Sequence, residues 1–581
     1  MTEPGSPRPG SNSDGNLAGV MRGTAAAPGV SVGRVVQFRH AQVGADLHVG
    51  DVAEEHRRIE RARVEARRQL RALQTRVREQ ADATRAEIFA VQLALIDDPS
   101  MMSTVRTAID AGESAASAWQ RVFAEHAEHL ARLPDSEMAA RAIDLHDVGV
   151  RVLHCLAGGT DRGATILPPG TVLVADALTP SELVAFEMSR VVGVCTVAGG
   201  ATSHVAILAQ SLGLPAVMAI DARALDVADG TPALLDGTDG TLRLHPDAAD
   251  LERVERDRRA DMQRRLDDVA AASQPAVTRD GYLIRVLANL GSLDEVDQVS
   301  RFGGDGVGLL RTEFLFVGRH AAPTEDEQAA TYSDIARALG ADRPLVVRTL
   351  DVGGDKALPY LPIPPERNPL LGERGIHVLL EHEELLRTQL RAILRASAAG
   401  RVAVLFPMVA TLDDWRAARR VLDEERARLG GHYVPAGIMV ETPAAALLAD
   451  HFAREVDFFS VGTNDLAQYA LAMDRTHPRL APHADALDPA VLRLIAQTTR
   501  AAQSQRKRVD VCGAVAADPQ AVPILIGLGI ERLSVSPVRL PAVKARIRRL
   551  ARADCLALAE RALEASSAAE VRALVPPDDE R

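Results

Sequence analysis

AGIMVETPAAALLADHFAREVDFFSVGTNDLAQY, residues 436–469, places two short apolar runs, AGIMVE and VDFFSVG, on either side of a helical stretch. The pattern reads as strand, helix, strand. It repeats along the C-terminal half: after Gln274 come LIRVLAN (283–289), GVGLLRT (306–312), PLVVRTL (344–350), VAVLFPM (402–408), then the two runs above, then RVDVCG (508–513) and RLSVSP (532–537). Eight strand-like runs separated by helical stretches, over roughly 250 to 300 residues, are what a (β/α)8 TIM barrel requires.

Reactive groups of such a barrel gather where the strands end, because the loops that follow them converge at the carboxyl face. The polar residues closing five of these apolar runs are Arg311, Arg348, Glu441, Asp465 and Cys512. Two arginines offer planar forks for phosphate or carboxylate, and two carboxylates 24 positions apart can share one hard divalent cation. The set describes a metal-assisted clamp for a small phosphorylated acid. A single rim arginine would be explained by a surface salt bridge; convergence at five strand ends is what separates these from scattered charge. Position alone leaves Cys512 open between a buried inert residue and a reactive thiol.

Upstream, Ser31 to Phe38 reads as a strand after the turn at Pro28-Gly29, and residues 48–158 carry helical spacing (Leu70, Leu73, Val77; Ile88, Val91, Leu95; Trp119, Val122). Strand and helix then alternate: TVLVADA, a helix opening at TPSE, VVGVCTV, a glycine turn, SHVAILAQSLG and PAVMAI. The expected organisation is a disordered tail (1–21), an α/β domain (22–47 and 159–246) interrupted by a helical insertion (48–158), a linker helix (247–276), the barrel (277–566) and a C-terminal tail (567–581). The linker places Leu251, Val254, Met262, Leu266 and Val269 on one stripe of a charged helix.

A second constellation lies in GGATSHVAILAQ. Gly199 and Gly200 permit a sharp turn, Thr202 or Ser203 can cap the helix, and His204 falls in its first turn. A helix N-terminus disfavours imidazolium and welcomes phosphate, so His204 is expected to be neutral and nucleophilic. Standing alone, it would read as an ordinary first-turn histidine bonded to a backbone carbonyl.

Composition narrows the partners. The formal charge is −12 and the pI about 5.8, with no basic block to follow a nucleic-acid backbone. No apolar run approaches the ~20 residues a membrane span needs, and the N-terminus lacks a signal-peptide layout, so a cytoplasmic protein with no membrane insertion is expected. The cysteines, Cys155, Cys195, Cys512 and Cys555, are scattered, which argues against a disulfide scaffold. Arginine far outnumbers lysine, of which only Lys356, Lys507 and Lys544 occur.

These strings resemble a known family. GGATSHVAILAQSLGLPAV (199–217) is similar to the phosphohistidine signature of enzyme I of the bacterial sugar phosphotransferase system, pyruvate phosphate dikinase and phosphoenolpyruvate synthase. GVGLLRTEFLF, VVRTLDVGGDK, NPLLGERG, GIMVETPAA, DFFSVGTNDLAQY and VDVCG resemble the matching phosphoenolpyruvate barrel, in order. The order of α/β domain with helical insert, linker and barrel, with fewer than 30 residues ahead of it, is similar to enzyme I. So are AEIFAVQLALIDDP and ARAIDLHDVGVRVL, which resemble its docking region for the phosphocarrier HPr. The resemblance implies that His204 is the phosphorylated nucleophile and that Arg311 and Arg348 form the phosphate clamp. It implies Glu441 and Asp465 as Mg²⁺ ligands, Asn464 and Arg475 completing the phosphoenolpyruvate pocket with Asp465, and Cys512 protonating the enolpyruvate. Arg374 and Lys356 match positions in the pocket region, and a homodimer through the barrel is implied.

The chain departs from the family at Leu183, Val197, Ala514 and His377, where Thr, Asp, Glu and Arg are usual. Two other readings follow from the same residues: a component of the synthase or dikinase type, or a divergent phosphoenolpyruvate-sensing paralogue.

Overall fold

The computed structural model describes residues 19–38, 51–80, 92–93, 95–131, 136–157, 167–186, 189–200, 203–354, 358–364, 366–474 and 480–576. The chain divides into two compact units, Met1–Arg259 and Ala260–Arg581. The division falls inside one continuous helix, Ala248–Ala270.

In the first unit, β1 (Val20–Arg22), β2 (Thr24–Ala27), β3 (Val30–Phe38), β4 (Thr171–Ala175), β5 (Val191–Thr196), β6 (Ala216–Met218), β7 (Pro232–Asp236) and β8 (Thr241–Leu244) form one sheet in the order β1-β8-β7-β3-β4-β5-β6-β2. β3 to β6 are mutually parallel, as the βα alternation predicts. β1, β2, β7 and β8 add antiparallel edges that the sequence reading missed. β1 also starts inside the stretch expected to be a bare tail.

Between β3 and β4 run helices α1 (Val52–Gln80), α2 (Pro99–Asp110), α3 (Ala115–Ala131) and α4 (Ser136–Leu156). Their apolar faces meet around Trp119, which stacks on Phe123 at 3.9 Å between ring centroids and donates its indole N–H to the Gly149 carbonyl at 3.1 Å. Insertion and sheet share one hydrophobic core, in which Leu70, Trp119 and Val152 join Leu173, Val194 and Leu208. A buried polar tie reinforces it: the Asp147 carboxylate on α4 accepts from Ser181 Oγ at 2.6 Å and from Gln92 Nε2 at 3.0 Å. Most of AEIFAVQL, the start of the expected carrier-docking string, lies outside the described residues.

Helix α5 (Pro180–Ala185) begins where TPSE predicted, because Thr179 and Glu182 form a reciprocal capping box. Helix α6 (His204–Ser211) follows the glycine turn. Helix α7 (Ala248–Ala270) carries the expected stripe, yet Leu251, Met262, Leu266 and Val269 all remain exposed.

The second unit is a closed parallel barrel, and all eight strands fall on the predicted runs. They are β9 (Arg285–Leu290), β10 (Val307–Leu310), β11 (Pro344–Arg348), β12 (Arg401–Phe406), β13 (Ala436–Val440), β14 (Phe458–Val461), β15 (Arg508–Val511) and β16 (Arg532–Val535). Consecutive strands pair, and β16 closes on β9 with Arg532 opposite Arg285. Alternate residues face inward, so Leu309, Val346, Ala403, Leu405, Met439, Phe458 and Cys512 form a small inner core, while a larger one lies between strands and helices. The residues expected as a C-terminal tail include a short helix, Ala568–Ala573, which Arg572 fastens to Asp485 at 2.6 Å and Asp518 at 2.9 Å.

Candidate active site

Strand chemistry brings most of the predicted residues to the carboxyl face of the barrel. Arg348 ends β11 and Glu441 follows β13, while Cys512 follows β15; Asp465 lies in the first turn of the helix Thr463–Leu471 after β14. All four are buried. Burial of charge is tolerated only when partners compensate, and here they come from neighbouring loops.

Arg348 is ion-paired with Glu313 and lies 3.3 Å from Asp351 Oδ2. Burial opposes its charge, but Glu313, Asp351 and Glu441 more than offset this and hold its pKa above the ordinary arginine value. Arg374, 1 % exposed, grips Asp351 with Nε and Nη2 at 3.0 Å each and reaches Asp465 Oδ1 with Nη1 at 2.8 Å. This bidentate fork fixes both acids. The β11 end is braced by Gln389, whose Nε2 donates to Thr312 Oγ1 at 3.1 Å while its Oε1 accepts from the Leu350 N–H at 2.9 Å.

Glu441, 1 % exposed, accepts from the Met408 N–H at 2.8 Å. Met408 has φ +55°, a strained conformation for a side chain of its size, so the turn is held open to aim that N–H. Burial, then repulsion from Asp465 and Asp351, push the Glu441 carboxyl up to about 7. A carboxyl crowded by two others is one whose ionisation a nearby cation would restore. Among the described residues no group of three or more His, Cys, Asp or Glu is arranged around one point.

The Cys512 thiol donates to the Val461 carbonyl at 3.5 Å and receives Ser460 Oγ at 3.4 Å. Burial dominates and pushes the thiol up to about 11. It therefore keeps its proton at neutral pH, which suits a proton donor and not a thiolate nucleophile. Gly513 follows because a Cβ there would sit 1.7 Å from Thr463 Oγ1. The Ala514 N–H donates to Asn464 Oδ1 at 3.1 Å, which ties the β14 and β15 loops together.

Arg311 differs from Arg348. It is exposed and makes no side-chain hydrogen bond or ion pair among the described residues, so its guanidinium is available to a ligand. Arg475 and Lys356 lie outside the described residues. Glu313 and Asp351 were missed by the sequence reading, although they stand two and three residues after the arginines at 311 and 348.

His204 belongs to the first unit. Gly199, at φ +99°, makes the turn, the Ser203 N–H bonds the Gly200 carbonyl at 2.9 Å, and Ser203 Oγ caps the helix by accepting from the Ala206 N–H at 3.2 Å. His204 is thereby the first residue of α6, where orphan backbone N–H groups favour an anion. The other candidate cap, Thr202, lies outside the described residues. The unusual Leu183 is fully buried in the apolar core and Val197 packs against the sheet's second core. His377 lies 3.6 Å from Asp414, which raises its pKa.

Three family models cover most of the chain: PEP-utilising enzyme, N-terminal (22–141), mobile domain (167–240) and PEP-binding domain (267–552). A multiphosphoryl transfer protein of Rhodobacter capsulatus is 45 % identical over 95 % of this chain and 67 % of its own length. A phosphoenolpyruvate-protein phosphotransferase of Geobacillus stearothermophilus is 37 % identical over 96 % of this chain and 97 % of its own. That of Haloferax volcanii is 41 % identical over 90 % and 92 %. The chain thus spans about two thirds of the first relative and nearly all of the other two. With its three family segments in order and relatives of this identity along nearly their full length, the chain belongs to the phosphoenolpyruvate-protein phosphotransferase family of PEP-utilising enzymes.

Proposed function

We propose that the chain transfers the phosphoryl group of phosphoenolpyruvate to His204 and from there to the histidine of a phosphocarrier of the HPr type, releasing pyruvate. The observation that carries this reading is the carboxyl face of the barrel. Arg311 there is exposed with no side-chain partner among the described residues, and Glu441, Asp465 and Cys512 follow neighbouring strands as buried groups.

Arg311 and Arg348 receive the phosphoryl oxygens, and Arg348 is held in position by Glu313 and Asp351. Asn464 and Arg475 complete the pocket with Asp465. Glu441 and Asp465 would hold a Mg²⁺ ion, which would supply charge neutralisation for the phosphoryl group and the departing enolate. Arg374 keeps Asp351 and Asp465 in place. His204 approaches in line as a neutral imidazole, and the bridging oxygen of phosphoenolpyruvate leaves as enolate. Cys512 delivers the proton that turns enolate into pyruvate. Nucleophile and clamp lie in separate units, so turnover requires that the two meet and part.

Residues 48–158 are assigned to carrier docking, and the protein is read as cytoplasmic and dimeric through its barrel. No helix among the described residues is long and apolar enough to cross a membrane. The test is incubation with phosphoenolpyruvate and Mg²⁺, followed by mapping of an acid-labile, base-stable phosphate. Label on His204 supports the reading, and label elsewhere or none overturns it.

A further inference from the structure

A cavity of about 520 Å³ opens at the amino ends of the barrel strands, the end opposite Cys512 and the carboxylates. Its wall carries Arg285, Arg401, Arg508 and Arg532. Each is the first residue of its strand, β9, β12, β15 and β16. Four guanidinium groups thus converge from four strands on one space, in a chain whose overall charge is −12.

The protein's own acids answer them only in part, through one carboxylate shared by two of the four. Asp510 is 1 % exposed, and neither of its carboxylate oxygens takes a hydrogen bond among the described residues. Its nearest cations, Arg508 Nε and Arg532 Nε, each stay 3.8 Å away. Burial holds its pKa above the ordinary value despite those two arginines. Glu531, beside Arg532, is engaged by the Tyr282 hydroxyl at 3.2 Å. Asp342 offers Arg401 only its backbone carbonyl, at 3.3 Å. Arg285 and Arg401 are exposed and form no ion pair among the described residues. Burial lowers the Arg532 pKa; Asp510 opposes this, and Arg508, Arg285 and Arg401 add to it. Arg508 is meanwhile fixed by lying 4.2 Å over the Phe458 ring, which orients its fork without neutralising it.

We propose that this mouth is a second anion site, which binds a small multivalent phosphate compound of the phosphate-monoester or diphosphate class. The volume lies within the roughly 300–1,000 Å³ of small-molecule sites. Separate guanidinium forks arranged around it favour a ligand with several phosphoryl or carboxylate oxygens over a monovalent ion. The two anion sites occupy opposite ends of the same barrel and share no residue.

Pyrophosphate is the probe, titrated calorimetrically into the full-length protein without Mg²⁺ at low salt. Wild type should bind it, and Arg285→Gln with Arg401→Gln should weaken that binding at least tenfold, while phosphoenzyme formation from phosphoenolpyruvate stays unchanged. Saturating phosphoenolpyruvate in a His204→Ala background should leave it in place. Undiminished binding in the double variant, no binding by wild type, or complete displacement by phosphoenolpyruvate would each overturn the proposal. Hydrogen exchange in wild type gives an independent reading that needs no variant. Protection by pyrophosphate around Arg401 and Arg532 supports the site, and protection confined to the Arg311 end overturns it.

Discussion

Around His204 the fold works with backbone: a glycine turn at Gly199, one serine cap and the open N-terminus of a two-turn helix. Around Glu441 it works with ionised side chains drawn from distant parts of the chain, in which Arg348 and Arg374 compensate Glu313, Asp351 and Asp465. The first arrangement is local and offers an anion-friendly point at little energetic cost. The second is a buried ionic network in which removal of any member strands another. Nucleophile and clamp should therefore fail in different ways when altered.

The largest effect is expected at His204. His204→Ala should abolish acid-labile phosphate while leaving phosphoenolpyruvate affinity, measured by calorimetry, nearly intact. Loss of that affinity would break the separation of nucleophile from clamp. Next comes Arg374→Ala, which removes the buried fork that holds Asp351 and Asp465 and should destabilise the barrel by about 3–5 kcal/mol, read as a shift of its urea transition. A shift below about 1 kcal/mol would show that the network is not what holds the site together.

Arg311→Ala sharpens the contrast inside the clamp itself. The residue is exposed and has no side-chain partner among the described residues, so stability should stay within about 0.5 kcal/mol of wild type, whereas phosphoenolpyruvate binding should weaken by about 10- to 100-fold.

Cys512→Ala should slow steady-state turnover more than single-turnover phosphorylation of His204, because only the former needs the enolate quenched. The folded protein keeps the thiol proton up to about pH 11, while an unfolded thiol releases it near 9.0. Rising pH across that window therefore favours the unfolded chain and lowers stability. Cys512→Ser should flatten that part of the stability profile. The smallest effect is expected at Ser203→Ala, which removes one helix cap, for a loss of about 1 kcal/mol and a few-fold slower phosphorylation in stopped-flow.

The barrel was legible because each of its strands is a compact apolar run bounded by helices. β1, β2, β7 and β8 were not, since VMR, TAAA, PALLD and TLRL are three to five residues long and carry no periodicity of their own. Their place is set by pairing partners such as Leu242 opposite Met21, more than two hundred positions away. The same division applies to the site. Arg311, Arg348, Glu441, Asp465 and Cys512 announce themselves by closing apolar strands, whereas Asp351 matters because of Arg374, 23 positions on. Arg374 itself sits in the loop segment NPLLGERG, where nothing local distinguishes a structural arginine from a surface one. The stripe on α7 is legible from spacing, and spacing cannot say whether anything covers it.

The closing seam of the barrel has a consequence for synthesis. β9 finds its second neighbour only in β16, and Asn289 bonds Ser534 from 245 positions away. At roughly 5–20 residues per second, a ribosome takes about 10–50 s to travel from Leu290 to Arg532. For that interval the nascent chain presents unpaired strand edges at both ends of an incomplete sheet. Translation speed and chaperone supply therefore bear on how this half of the protein closes. In a heterologous host the yield of soluble protein should respond to slower growth and added chaperone, and a ribosome stalled just short of Arg532 would release a fragment prone to pair with other copies of itself.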